Sequence, residues 1–193
     1  MKVYDIAQEV LSCRVYPGDP IPKAEQLVAI GKNGAIYNMT SLSMCNHNGT
    51  HVDAPAHFIE NGTTIDQMPV DTFVGPCIVV RHEGDVTADD AQRMLRLAGD
   101  AERLLIAGPA VVTAEAAEVF AASSLRLIGN ESQSVGPVNA PAAVHRLLLG
   151  RGMALLEGVV LDGIPEGRYI LSAAPLNLAG CEGAACRAVL IDL

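Results

Sequence analysis

Apolar residues gather in short continuous runs at Cys77 to Arg81, Arg103 to Ala107, Leu125 to Ile128 and Met153 to Leu156. Each is too brief for a helix and lacks the alternation of a strand with one wet face, so each reads as a strand covered on both sides. Between these runs the apolar spacing turns helical. Thr87 can cap a helix over Ala88 to Ala98, with Asp90 closing a reciprocal box and Gly99 ending it. A second helix is expected from Thr113 through Ala122. A third is expected from about Ala140 to Leu149, with Asn139 as its cap and Pro141 tolerated in the first turn. Its Val144, Leu147 and Leu148 share a face before Gly150 stops it.

The N-terminal third follows a different pattern, rich in strand and turn signals. Two prolines and a glycine make Tyr16 to Pro20 a loop. Glu25 to Ile30 and Tyr37 to Met44 read as strands joined through Gly31-Lys32-Asn33-Gly34, a hairpin connection. Arg168 to Ala173 and Ala185 to Asp192 read as the last strands. The pattern as a whole is mixed α and β, with no repeat and no linker, so one domain over residues 1–193 is expected.

Half of the residues are hydrophobic and 18% are charged, which excludes a disordered chain and leaves apolar surface for a partner subunit. A homodimer or higher homo-oligomer is therefore expected. A net charge of -9 gives phosphate backbones no reason to bind, so nucleic acid is excluded as a partner. Asp5 and Glu9 interrupt the segment where a secretory signal needs an apolar stretch, and no run is long enough to span a bilayer. A soluble, cytoplasmic protein is the expectation. Cys13, Cys45, Cys77, Cys181 and Cys186 are odd in number and form no C-x-x-C pair, so they read as free thiols in a reducing compartment.

The chemistry is concentrated in Asn46 to Phe58, NHNGTHVDAPAHF, where His47, His51, Asp53 and His57 form H-x-x-x-H-x-D-x-x-x-H. All four positions are odd-numbered, so an extended segment would send their side chains out on one side. Gly49 and Pro55 argue against a helix here; Gly49 permits a close approach or a positive φ, and Pro55 stiffens the turn that delivers His57. Burying so many ligand-type groups without an ion would strand several polar atoms, so the run reads as a metal site. His82, at a strand end, reads as an ordinary histidine outside it.

This run, H-x-G-T-H-x-D-A-P-x-H-F, resembles the signature of the metal-dependent cyclase family, which includes bacterial kynurenine formamidase and isatin hydrolase. Asp5, Tyr16 to Pro20, Gly62, Phe73 to Pro76 and Gly183 to Leu190 extend the resemblance over nearly the whole chain. It implies a swivelling β/β/α domain with a mixed, largely antiparallel sheet flanked by helices. Two-metal members take a further His and Glu from later in the chain, which His145 and Glu157 resemble. The implied site holds one ion on His47, His51 and Asp53, with Asp53 bridging to a second on His145 and Glu157. Two zinc ions per subunit are the first expectation and manganese the second, since imidazoles and carboxylates suit both.

The resemblance makes His57 the acid/base residue, a role that suits a group titrating near neutrality. It also implies hydrolysis of a small formamide, amide or lactam by metal-activated water, as in arylformamidases. Tyr16, where kynurenine formamidases carry tryptophan, and Phe58 are expected to line the substrate pocket. The chain departs from those enzymes at Gly129 to Ser134, where Glu131 stands at their acid and Gln133 at their proline. Three other readings remain: a cyclase-type enzyme acting on another small carbonyl substrate, a Cys45 nucleophile assisted by His47, and a metal- or ligand-binding module without catalysis.

Overall fold

The computed structural model of the protein describes residues 1–192. Its strands are β1 (Lys2–Asp5), β2 (Lys23–Val28), β3 (Met39–Ser43), β4 (His51–Asp53), β5 (Val74–Arg81), β6 (Gly84–Val86), β7 (Arg103–Ala107), β8 (Ala110–Val112), β9 (Leu127–Asn130), β10 (Ala154–Glu157), β11 (Gly167–Ser172), β12 (Gly183–Ala185) and β13 (Val189–Asp192). Its helices are α1 (Ala88–Ala98), α2 (Ala114–Ala121) and α3 (Ala142–Leu149).

The main sheet has nine strands among the described residues, in the order β1-β13-β11-β5-β7-β9-β10-β4-β12. β5, β7, β9 and β10 lie parallel at its centre. Antiparallel pairs flank them, β11, β13 and β1 on one side and β4 and β12 on the other. The parallel centre follows from the helices between successive strands, because a parallel return needs a crossover.

Side-chain alternation along the central strands builds two cores. Ile78, Val80, Leu104, Ile106, Ile128 and Leu155 face the helices, packing with Met94 of α1, Phe120 of α2 and Leu148 of α3. Each such fully buried side chain contributes about 1.5–3 kcal/mol relative to exposure. The opposite face gathers Val79, Leu105 and Leu156 with Val52 and Ala184 from one edge of the sheet and Leu171 and Leu190 from the other. Strands from both edges share one cluster, so the sheet curls around it. No helix among the described residues is long and apolar enough to cross a membrane.

Several sequence-based boundaries shift. The expected last strand, Ala185 to Asp192, is two strands: β12 pairs with β4, and after Cys186 to Ala188 the chain crosses to pair β13 with β11 and β1. Asn139 does not cap α3; the helix starts at Ala142 behind Pro141, which is already in the helical region and supplies no side-chain cap. Thr87 and Asp90 do form the reciprocal box, and Thr113 caps α2. The hairpin's first strand starts and ends two residues earlier than expected, at Lys23–Val28, and its second falls inside the expected limits, at Met39–Ser43.

Candidate metal centre

The run from His47 to His57 is not one extended face. Only His51–Asp53 is strand; His47 sits in a turn before it, and His57 ends a single 3-10 turn, Pro55–His57. The reason is local. Gly49 takes φ +68°, which bends the chain ahead of β4, and Pro55 opens the 3-10 turn behind it. The turn at His47 is held by Asn48, whose side-chain oxygen accepts from the Cys45 amide at 2.8 Å.

Register then assembles the cluster. In the β4–β10 pair, His51 stands opposite Glu157 and Asp53 opposite Leu155. Leu155 packs in the helix-side core, so His51, Asp53 and Glu157 project from the same face of the sheet, toward α3. α3 carries His145 onto them. Its Nε2 lies 3.2 Å from Glu157 Oε1 and 3.6 Å from Asp53 Oδ2. His51 Nε2 lies 3.5 Å from Asp53 Oδ1 and 3.6 Å from Glu157 Oε2, and His47 Nδ1 lies 2.8 Å from Asp53 Oδ1.

Two triplets result, His47–His51–Asp53 and Asp53–His145–Glu157, each with its ligand atoms within 4.8 Å of one another. Asp53 belongs to both. It is fully buried, and its Oδ2 has no hydrogen-bond partner. A buried carboxylate oxygen left in that state is costly unless a cation faces it. Three imidazoles and two carboxylates with an unpartnered anionic oxygen between them fit divalent ions of the zinc or manganese type.

The electrostatics have the same origin. Burial opposes ionisation of Asp53, but the His47 hydrogen bond and the neighbouring imidazoles outweigh it and hold this carboxyl below its ordinary range. Burial and Asp53 also work against Glu157, and His145 and His51 bring it down. Burial disfavours charge on His47, yet Asp53 and then Glu182 raise it to about 9. His51 and His145 are raised against burial chiefly by Glu157. His57 differs: burial, with His47 and His145 nearby, lowers it despite Asp53. It is the one imidazole of the group held toward its neutral form.

His57 stacks on His47, ring centroids 4.2 Å apart, and its Nε2 lies 3.9 Å from Asp53 Oδ2. It borders a cavity of about 240 Å³ that opens over the cluster, with Tyr16, Asp19, Phe58, Gln133 and Ser134 among its walls. Tyr16 is fixed there by its hydroxyl, which donates to the Val138 carbonyl. Glu131 is not a pocket acid: its carboxylate accepts from the amides of Gly108 and Leu161 and ties loops together. Gln133 does line the cavity, donating to the Arg14 carbonyl. His82 lies outside the cluster, against Asp85 and Asp90.

Sequence reasoning missed Glu182, whose Oε1 lies 3.1 Å from His47 Nε2, and the placement of Asp19 in the cavity wall. The cysteines are unpaired. The thiol reading of the site weakens at Cys45, because burial and then the charges of Asp19 and Glu182 raise it and keep the sulfur protonated.

A mixed α/β fold with a buried carboxylate shared by two ligand triplets defines a protein with a candidate divalent-metal centre. Residues 4–137 match the profile of the Cyclase family, described as "Putative cyclase". The chain belongs to that family. It is 31% identical over its whole length to a kynurenine formamidase from Erythrobacter litoralis, of which it covers 94%. To the kynurenine formamidase of Maricaulis maris it is 32% identical, covering all of this chain and 99% of that one. Among solved structures, a potential metal-dependent hydrolase with cyclase activity superposes at TM-score 0.80 with 27% identity, covering 98% of this chain and 96% of its own. Isatin hydrolase A from Labrenzia aggregata superposes at TM-score 0.84 with 22% identity over 98% of this chain and 93% of its own, a likeness of fold.

Proposed function

We propose that this metal-dependent hydrolase of non-peptide C–N bonds acts on a small formamide, amide or lactam, an arylformamide above all. The observation that carries the reading is the buried Asp53 carboxylate, shared by two triplets and left with an unpartnered oxygen. The names of the relatives, kynurenine formamidase at 31–32% identity over full length, supply the bond type. His47, His51 and Asp53 would hold one ion, and Asp53, His145 and Glu157 the other. Zinc is the first choice and manganese the second.

When bound, divalent ions supply a nucleophile from water near neutral pH and positive charge for the oxyanion that develops on the carbonyl. The rest falls to the chain's own groups. His57, held toward the neutral form, takes a proton at Nε2 from the attacking water and returns it to the leaving nitrogen. Phe58, edge-on to His57 at 4.6 Å between ring centroids, fixes that imidazole's tilt and gives the substrate an apolar wall. Tyr16 forms a second wall, and together they favour an aryl group.

Unpaired thiols support work in a reducing compartment, the cytoplasm, and the exposed hairpin supports a homodimer built from one domain per subunit. The test is a His57→Ala variant assayed on formanilide-type substrates beside its metal content. Turnover should fall about 10²–10⁴-fold with the metal retained. Full activity in that variant removes His57 from its role, and activity that survives exhaustive chelation removes the metal.

A further inference from the structure

His51 and His145 are oriented by the backbone. Nδ1 of each lies 3.0 Å from a carbonyl oxygen, of Gly49 and Pro141 respectively, so the ring proton sits there and Nε2 faces the cluster. His47 is held differently. It lies in a turn, and both of its ring nitrogens face carboxylates: Nδ1 is 2.8 Å from Asp53 Oδ1, and Nε2 is 3.1 Å from Glu182 Oε1.

Glu182 arrives from the segment just before β12, and its own placement is fixed. Its backbone carbonyl accepts from the Ala54 amide at 2.9 Å, next to Asp53, and the Asn46 side chain donates to its Oε1 at 3.3 Å. Gly183 beside it leaves room for the imidazole, since a Cβ there would stand 3.1 Å from His47 Cε1.

We infer that Glu182 is a positioning residue that accepts the Nε2–H of His47, so that when an ion replaces the proton Nδ1 shares with Asp53, the tautomer that remains has its Nδ1 lone pair aimed at the cluster. The inference rests on the assignment of His47, His51 and Asp53 to a divalent ion. An imidazole that donates to a carboxylate is held in one orientation and is a stronger electron-pair donor through its other nitrogen. The consequence is asymmetric. Only one triplet contains His47, so Glu182 governs one ion and leaves the other to the backbone-oriented His145.

The experiment titrates the metal-free full chain with zinc alone, in competition with a chromophoric chelator, for the wild type, Glu182→Gln and Glu182→Leu. The Glu182 side chain is 40% exposed, so the fold should tolerate both changes, and metal-free melting temperatures check that it does. Glu182→Leu should weaken one bound ion about 10–100-fold and leave the other unchanged. Glu182→Gln, which keeps an acceptor without its charge, should fall between. Proton–nitrogen correlation spectra of the zinc-loaded wild type should show His47 protonated at Nε2. Zinc held unchanged by Glu182→Leu, or a His47 proton on Nδ1, overturns the inference while the metal reading stands. A wild type that takes up no zinc overturns both.

Discussion

At Gly183 a Cβ would stand 2.8 Å from the Val52 carbonyl oxygen and 3.1 Å from Cε1 of His47. The backbone oxygen cannot retreat without disturbing β4, so the strain passes to the imidazole or to the strand pairing. Gly183→Ala should therefore cost about 1–3 kcal/mol of stability, the range of a small overpacking, and weaken metal binding at the His47 triplet. Thermal unfolding of the chelated protein and zinc competition check both parts; an alanine variant that matches the wild type in each contradicts the close fit. At this scale legibility depended on spacing. His47, His51, Asp53 and His57 stand within eleven positions, a density of ligand types visible in the sequence, and His145 and Glu157 became legible only through resemblance. Glu182 had no such signal, because a carboxylate acting on a histidine 135 residues earlier leaves no periodic trace. Its one cue was its place just ahead of Gly183. Asp19 was read as part of a turn, and Glu131 as an acid of the site when it in fact ties two loop amides.

The β2–β3 hairpin has every residue exposed except Val28, and Leu27, Met39 and Leu42 are each more than 40% accessible. A two-stranded hairpin in water is marginal without a covering layer. A second copy of the chain is the expected cover, so light scattering after size exclusion should give about twice the 20.2 kDa chain mass. Leu27→Glu with Leu42→Glu should shift the population to monomer while leaving the fold intact; a wild type monomeric at the same concentration contradicts the hairpin's role. The hairpin itself was readable from Gly31-Lys32-Asn33-Gly34, and α1 from Thr87 and Asp90, because turn and cap chemistry are local. The three-residue strands β6, β8 and β12 were not, since three positions carry no period to detect, and β4 was read only as part of a longer extended run. Their pairing is decided by distant partners. β4 becomes a strand because β10 and β12 lie on either side of it, and the same pairing turns His51 and Asp53 toward α3.

Across the whole molecule, the cluster makes the stability of the metal-free protein depend on pH in two opposite ways. Asp53 and Glu157 are held below their ordinary 3.8 and 4.5, so their contribution is present above those values and is lost as pH falls through the lowered ones. His47, His51 and His145 are raised above 6.5, so theirs is complete below that value and is lost as pH rises, for His47 through about 9. The chelated protein should thus be most stable at about pH 5–6.5 and lose melting temperature steadily up to about pH 9. A bound divalent ion demands unprotonated imidazoles, so binding releases protons and tightens as pH rises. Adding zinc or manganese should then raise the melting temperature more at pH 8 than at pH 6, removing the alkaline decline that chelation exposes. Scanning fluorimetry across this range, with and without chelator, separates the two limbs. A chelated protein whose melting temperature stays flat from pH 6.5 to 9 would show that the imidazoles are not held by Asp53, Glu157 and Glu182 as the geometry requires.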